Sequence, residues 1–364
     1  MVRPGINLVR LWAVFVAATF FHHIFLWVNI YSLKYGFQEL TKQRELNSAA
    51  EFILASLVLY QRETKFLVRE KGRGMVLNPE NTRRYKLSIS CPDTVGIVAA
   101  VSQFIANHKG WIIEAHQFAD AESCLFFMRY EVVADSLPFG LEEFRAKFND
   151  LAERFSMNWD ITDSAQRKRV VVMVSKESHC LSDLLYRWRA GELDCDIPCV
   201  ISNHETLRSF VEWHGIPFIH VPVDKADKKP HFQAVQEQIA SVEADAIVLA
   251  KYMQIIPETL CEKYPGRIIN IHHSFLPSFI GARPYHQAAE RGVKQIGATC
   301  HYVTPDLDAG PIIEQDVLRV THHNTTKDMV RLGKDVEKAV LARGLRYHIE
   351  DRVLVNGNKT VVFA

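Results

Sequence analysis

The hydrophobic rhythm of the chain changes several times. From Leu11 to Leu33 the stretch LWAVFVAATFFHHIFLWVNIYSL carries no Lys, Arg, Asp or Glu. Residues 39–84 are polar and mixed, and their end, REKGRGMVLNPENTRR, reads as a linker. A regular pattern begins at Tyr85. YKLSIS (85–90) alternates apolar and polar positions, the period of a half-buried strand. CPDTVG follows as a turn built on Pro92, Asp93 and Gly96. Ile97, Val98, Val101, Phe104 and Ile105 then recur at helical spacing, and Gly110 stands just past that helix. WIIEAHQFA and CLFFMRYEVV predict two strands, LEEFRAKFNDLAERF an amphipathic helix, and MNWDIT a last short strand. The order over residues 85–164 is βαββαβ, the ferredoxin-like unit.

From residue 170 strands and helices alternate singly. RVVVMVS is a continuous apolar run, as for a parallel strand buried on both faces. LSDLLYRW predicts a helix, CDIPCVIS a strand, ETLRSFVEWHG a helix stopped by Gly215, and PFIHVPV a strand. HFQAVQEQIASVE, ADAIVLA, PETLCEKYPG and RIINI continue the alternation. QIGATCHYV and PIIEQDVLRV add two strands, a helix is expected at 326–350, and DRVLVNGNKTVVF reads as a hairpin turning at Asn356-Gly357. The fold class is therefore α/β, a doubly wound Rossmann-like domain over residues 170–364. Ligands of such sheets bind at the carboxyl ends of the strands.

Composition narrows the field. The 364 residues suffice for two or three domains at roughly 100–200 residues each. A net charge of +1 gives no electrostatic reason to expect nucleic acid. Seven cysteines without a CxxC pair fit reduced thiols in the cytoplasm better than a disulfide framework. The uncharged run 11–33 is long enough for a bilayer, which needs about 20 apolar residues. His22, His23 and Asn29 within it count against a span, and the run is too long for a signal-peptide core.

Candidate chemistry gathers at NIHHSFLP (270–277). Asn270 and His272 are two apart, so on a strand their side chains share a face at the carboxyl edge of the sheet. His273 is expected to face the other way, so the two histidines make no chelating pair. With no Cys, Asp or Glu at ligand spacing, no catalytic metal is expected. Taken alone, His272 reads equally as a satisfied histidine at a strand end. VTPDLDAGPIIEQ (303–315) then supplies Asp306 and Asp308 in a turn with Gly310. Amide, imidazole and carboxylate are the groups that acyl transfer needs: an oxyanion donor, a proton carrier and its orienting partner.

These residues carry a family resemblance. NIHHSFLPSFIGARPYHQAAERGVKQIGATCHYVTPDLDAGPIIEQD resembles the folate-dependent formyltransferases in its Asn-x-His, its Ser-x-Leu-Pro and its Asp-x-Gly-Pro-Ile-Ile. SISCPDTVGIVAAVSQFIANHKGWI resembles an ACT domain, a regulatory module that binds an amino acid or pairs with a second copy. A purely structural layer is the other reading of that unit. An ACT unit followed by a formyltransferase-fold domain is the arrangement of the formyltetrahydrofolate deformylases, which hydrolyse 10-formyltetrahydrofolate to formate and tetrahydrofolate. The resemblance covers about residues 85–364. It implies Asn270, His272 and Asp308 as the catalytic trio. It also implies LAKYMQIIP (249–257), with Met253, Ile255 and Ile256, and Ser274 and Pro277 as the folate pocket.

The same resemblance implies Asp93 and Gly96 as an effector turn and a homo-oligomer. Folate is then the substrate, no separate cofactor is needed, and the products feed one-carbon and purine metabolism. Relatives that formylate a phosphorylated ribosyl amine have a glycine-rich loop after the first strand, whereas SKESHCLSDLL (175–185) has no glycine. Water is thus the expected acceptor. The alternatives are a formyltransferase using an amine, and a non-catalytic amino-acid sensor. Residues before 85 are foreign to this pattern, so functional protein is expected to begin near Met75, with a membrane signal anchor as the competing reading.

Overall fold

The computed structural model describes residues 82–278 and 284–364. The uncharged run 11–33, the expected start at Met75 and residues 279–283 of the SFIGARPYHQA motif lie outside the described residues. Among the described residues no helix is long and apolar enough to cross a membrane.

The first unit is built from β1 (Arg84–Pro92), α1 (Ile97–Asn107), β2 (Ile112–Asp120), β3 (Leu125–Val133), α2 (Leu141–Arg154) and β4 (Asn158–Asp163). Its antiparallel sheet has the order β2-β3-β1-β4, as the βαββαβ sequence pattern implies. Strand alternation turns Tyr85, Leu87, Ile89 and Cys91 of β1 inward. Ile97, Val101 and Ile105 of α1 and Phe144 and Phe148 of α2 cover that face. β3 is buried on both faces. Met128, Tyr130 and Val132 join the helices, and Arg129 and Glu131 point the other way, toward the carboxyl-terminal half of the chain.

The second unit contains β5 (Lys168–Val174), α3 (His179–Arg189), β6 (Cys195–Asp196), β7 (Val200–Ser202), α4 (Arg208–Trp213), β8 (Phe218–His220), α5 (Lys229–Ser241) and β9 (Ala246–Leu249). It continues with α6 (Glu258–Lys263), β10 (Ile268–His272), α7 (Pro284–Arg291), β11 (Gln295–Tyr302), β12 (Ile312–Arg319) and α8 (Thr326–Ile349). A hairpin, β13 (Val353–Asn356) and β14 (Lys359–Val362), ends it. The main sheet runs β12-β11-β10-β9-β5-β7-β8, with β6 beside β5. Val170, Val172 and Val174 of β5 face one core, with α3 and α8, while Val171 and Met173 face the other, with α5. That two-sided burial explains the unbroken apolar run.

Three details differ from the sequence reading. The sheet is mixed, because β11 runs antiparallel to β10 and β12 antiparallel to β11. The short link between β11 and β12 cannot carry a parallel crossover. CDIPCVIS is split into β6 and β7 around Pro198, which has no N–H for a ladder. The last hairpin turns at Gly357-Asn358, one residue later than expected, since Asn356 pairs with Lys359.

Strand order places the site. β5 pairs with β7 on one side and with β9 on the other. The connections therefore diverge at the carboxyl ends of β5 and β9, the point where open α/β sheets form a crevice.

Candidate functional site

Asn270 and His272 leave the last turn of pleat in β10 on one face, and β11 lies beside them in antiparallel register. That register sets His301 opposite Asn270 and Thr299 opposite His272. The loop after β11 then brings Asp308 back over the strand end. Asp308 has φ 55°, a left-handed conformation that Asp tolerates better than most residues. The strain is held by the loop closure at Gly310, where an added Cβ would lie 1.9 Å from the Tyr302 carbonyl oxygen.

His272 Nδ1 lies 3.2 Å from Asp308 Oδ2. The carboxylate accepts from Nδ1, so the neutral ring carries its lone pair on Nε2. His272 Nε2 is buried and has no hydrogen-bond partner among the described residues. A buried nitrogen without a partner costs free energy unless another molecule satisfies it. The contact with His272 pulls the Asp308 pKa below the ordinary carboxylate value, and burial only partly opposes it. His301 donates from Nδ1 to the Tyr302 carbonyl at 2.8 Å. Its Nε2 is therefore an acceptor, and Asn270 Nδ2 donates to it at 3.1 Å. The second amide hydrogen of Asn270 remains for a ligand oxygen.

Beside this group a cavity of about 490 Å³ opens at the crevice. His273 lines it, and its ring centroid is 5.1 Å from that of His272. The two rings thus lie together, contrary to the expectation that they face apart, because His273 stands past the end of β10 and is free of the strand's alternation. Burial pushes the His273 pKa down to about 4, so this ring is neutral near pH 7.

The far wall of the cavity is an ion network on Glu337 of α8. Tyr285 donates to Oε1 at 2.7 Å, and His179 faces Oε2 at 2.8 Å. Lys251 Nζ is 3.2 Å from the same Oε2. Burial alone would raise the Glu337 pKa, but His179, Lys251 and Tyr285 outweigh it and hold it at about 2. His179, Cys180 and Glu337 also place potential ligand atoms within 4.8 Å of one another. Burial pushes the Cys180 thiol far up, so it offers no thiolate, and Lys251 already neutralises Glu337. That cluster is held together by its hydrogen bonds and is a poor fit for a cation.

The other expected residues divide. Met253 lines the cavity and is 60% exposed. Ile255 is 63% exposed, whereas Ile256 is buried in the core with Tyr252 and Leu260. Ser274 is buried, and its hydroxyl donates to the Ser278 carbonyl at 2.8 Å, bracing the turn rather than offering itself to a ligand. Pro277 is exposed next to it. Ser175 braces too: it donates to Asn203 at 2.7 Å and accepts from the Met253 N–H at 3.0 Å. Asp93 and Gly96 lie apart from this site, on the turn before α1, where Gly96 has φ 99°. His301, Lys251, Tyr285 and Glu337 were not singled out in the sequence reading. His301 alone had a local signal, a histidine inside an apolar strand between Cys300 and Tyr302.

Residues 168–345 match the family described as Formyl transferase. The chain is 48% identical over 278 residues to a formyltetrahydrofolate deformylase of Synechocystis, covering 76% of this chain and 98% of the relative. A crystal structure of a formyltetrahydrofolate deformylase from Pseudomonas syringae is 60% identical. It aligns over 84% of this chain and 100% of its own with a TM-score of 0.77. A glycinamide ribonucleotide transformylase from Symbiobacterium toebii is more distant. It is 28% identical over 54% of this chain and 95% of its own, with a TM-score of 0.52.

Proposed function

We propose, from the premise that this chain belongs to the formyltetrahydrofolate deformylase family, that Asn270, His272 and Asp308 hydrolyse 10-formyltetrahydrofolate to formate and tetrahydrofolate. The observation that carries the assignment to these residues is the buried Nε2 of His272. Among the described residues it has no partner, while Nδ1 is tied to Asp308 and Asn270 stands beside it.

In this mechanism His272 Nε2 takes a proton from water as the water oxygen bonds to the formyl carbon. Asp308 stabilises the imidazolium so formed and holds its orientation. The free amide hydrogen of Asn270 donates to the oxyanion. The tetrahedral adduct collapses by breaking the bond from carbon to the folate nitrogen, and His272 returns its proton to that nitrogen. Formate and tetrahydrofolate leave. Folate is the substrate, and the steps use only groups of the chain. The products are a one-carbon unit, of the kind that purine synthesis consumes, and a free folate carrier. Seven free cysteines suit a reducing cytoplasm. Incubating the purified protein with 10-formyltetrahydrofolate and no amine is expected to release formate. A requirement for an amine acceptor would overturn the reading.

The βαββαβ unit is the proposed ACT module. An amino-acid effector would dock its carboxylate at the Asp93–Gly96 turn, where α1 begins without a side-chain cap. β2 is a sheet edge with Trp111, Ile113 and Phe118 exposed on or beside it, which supports pairing with a second copy.

A further inference from the structure

We propose that Lys251, whose ammonium sits beside Glu337 in the cavity wall, determines acceptor specificity: it bars amines from the cavity beside His272 and leaves water as the nucleophile. The inference rests on the hydrolase reading above and adds the residue that selects the acceptor.

Two observations set this pair apart. Lys251 and Glu337 are both buried, at 9% and 1% exposure, although taking two charges out of water is costly. Lys251 also has φ 64°, a left-handed conformation that favours glycine. A lysine kept there against both penalties has a role that neutral packing would not fill, and no atom of the Asn270–His272–Asp308 group depends on it.

The role follows from what an amine acceptor needs. A primary amine reaches the enzyme largely as an ammonium ion. It must find a carboxylate to dock on and must then lose a proton before it can attack. Among the described residues lining the cavity there are two carboxylates. Glu177 is half-exposed and paired with Lys334. Glu337 is buried, and both of its oxygens are engaged, Oε1 by Tyr285 and Oε2 by His179 and Lys251. Among the described residues lining the cavity, neither carboxylate is left for an incoming ammonium. The Lys251 ammonium in the same wall repels one, over a low-dielectric path that strengthens the effect. Lysines outnumber glutamates on the lining, three to two. Water carries no charge and needs no such counter-ion.

Removing Lys251 gives Glu337 a free lone pair facing the cavity. An ammonium docked there would give one proton to solvent, and the amine so formed would bond through nitrogen to the formyl carbon as its second proton passes to His272. The bond from that carbon to the folate nitrogen would break, and His272 would protonate the folate nitrogen. The products would be a formamide and tetrahydrofolate, with no water consumed.

The test runs both reactions in one tube. Wild-type protein, Lys251→Gly and Lys251→Met are given 10-formyltetrahydrofolate and glycinamide, whose amino group titrates near about 8. N-formylglycinamide is measured by mass spectrometry and formate by an enzymatic assay. Wild type is expected to yield formate alone. The ratio of formamide to formate should rise at least about tenfold in both variants, a conservative figure for removing a like charge at short range. Lys251→Arg should keep the wild-type ratio, as should Glu337→Gln, which breaks the pair but leaves the ammonium in place. An unchanged ratio in folded Lys251→Gly and Lys251→Met overturns the proposal, as does a rise in Glu337→Gln. Formate release by wild type without glycinamide reports on the hydrolase reading separately.

Discussion

His272 owes its proposed role to the difference between its two nitrogens, one tied to Asp308 and one left open. Replacing Asp308 by Asn keeps the shape and removes the charge that stabilises the imidazolium. We expect turnover to fall about 10²–10⁴-fold, the range for a positioned proton-transfer group, with folate binding and melting temperature nearly unchanged. Full activity in that variant would move the chemistry elsewhere. Glu337 makes a second prediction, about pH. Its pKa in the fold is about 2 against an ordinary 4.5, so the folded state binds its proton less readily than the unfolded chain. The stability it contributes, about 3 kcal/mol, is fully present above pH 4.5 and is lost as pH falls from there toward 2. Melting curves between pH 5 and 3, taken for wild type and Glu337→Gln, check this; wild type should lose stability more steeply. The Asn-x-His spacing made Asn270 and His272 visible as a pair in the sequence. Lys251 stood inside the pocket segment LAKYMQIIP without being singled out, and Glu337 was invisible, because a glutamate in a polar helix looks like a solvated residue until the fold buries it against a partner 86 positions away.

Elements set these residues in place, and two glycines show how tightly. Gly310 closes the loop that carries Asp308 against the Tyr302 carbonyl at the end of β11, where backbone rather than a flexible side chain would have to yield. Gly310→Ala is therefore expected to displace Asp308 and cut turnover at least about tenfold, because a shift of about 1 Å in a positioned group has effects of that order or more. Steady-state rates beside a far-ultraviolet spectrum separate this from unfolding. Gly344 lets α8 lie close on β11, and a Cβ there would come within 2.4 Å of Cys300 Sγ. Ala is better than Gly in a helix by about 1 kcal/mol, whereas overpacking costs about 1–3 kcal/mol. The clash wins, so Gly344→Ala should lower the melting temperature. A rise would show that α8 can slide. Most elements were legible from period and punctuation: the alternation in β1, the helical spacing in α1, the apolar run of β5. The antiparallel direction of β11 and β12 was not, since a strand's pattern has no sign. That direction is what sets His301 opposite Asn270.

At the scale of the whole molecule, one arginine joins the two units. Arg129 is fully buried on the second face of β3. Its Nε donates to the Asp351 carbonyl at 3.0 Å, and its Nη2 donates to the Glu350 carbonyl at 2.8 Å and to Glu131 at 2.6 Å. These carbonyls follow directly on the last turn of α8, the end of a helix where backbone acceptors lack partners and favour a cation. Lys86 and Thr162 of the first unit meet the Asp351 carboxylate, and Lys168 at the start of β5 joins them there. The first unit therefore caps the helix that carries Glu337 into the cavity. The cap needs a planar fork, because the bonds leave from both Nε and Nη2, and the single nitrogen of a shorter lysine cannot reproduce them. Arg129→Lys should thus behave much like Arg129→Met and leave acceptors of this buried interface without the donor that arginine supplies. Breaking a buried charge network of this kind costs about 3–5 kcal/mol. At about 2–4 °C per kcal/mol for a protein of this size, the melting temperature should fall by about 6 °C or more. Amides from 349 to 352 should also exchange faster with solvent while those of β5, deep in the sheet, keep their protection, since the loosened part is the joint and not the core. A fall of less than 2 °C with unchanged exchange would mean that the remaining ion pairs hold the units together and that Arg129 is replaceable.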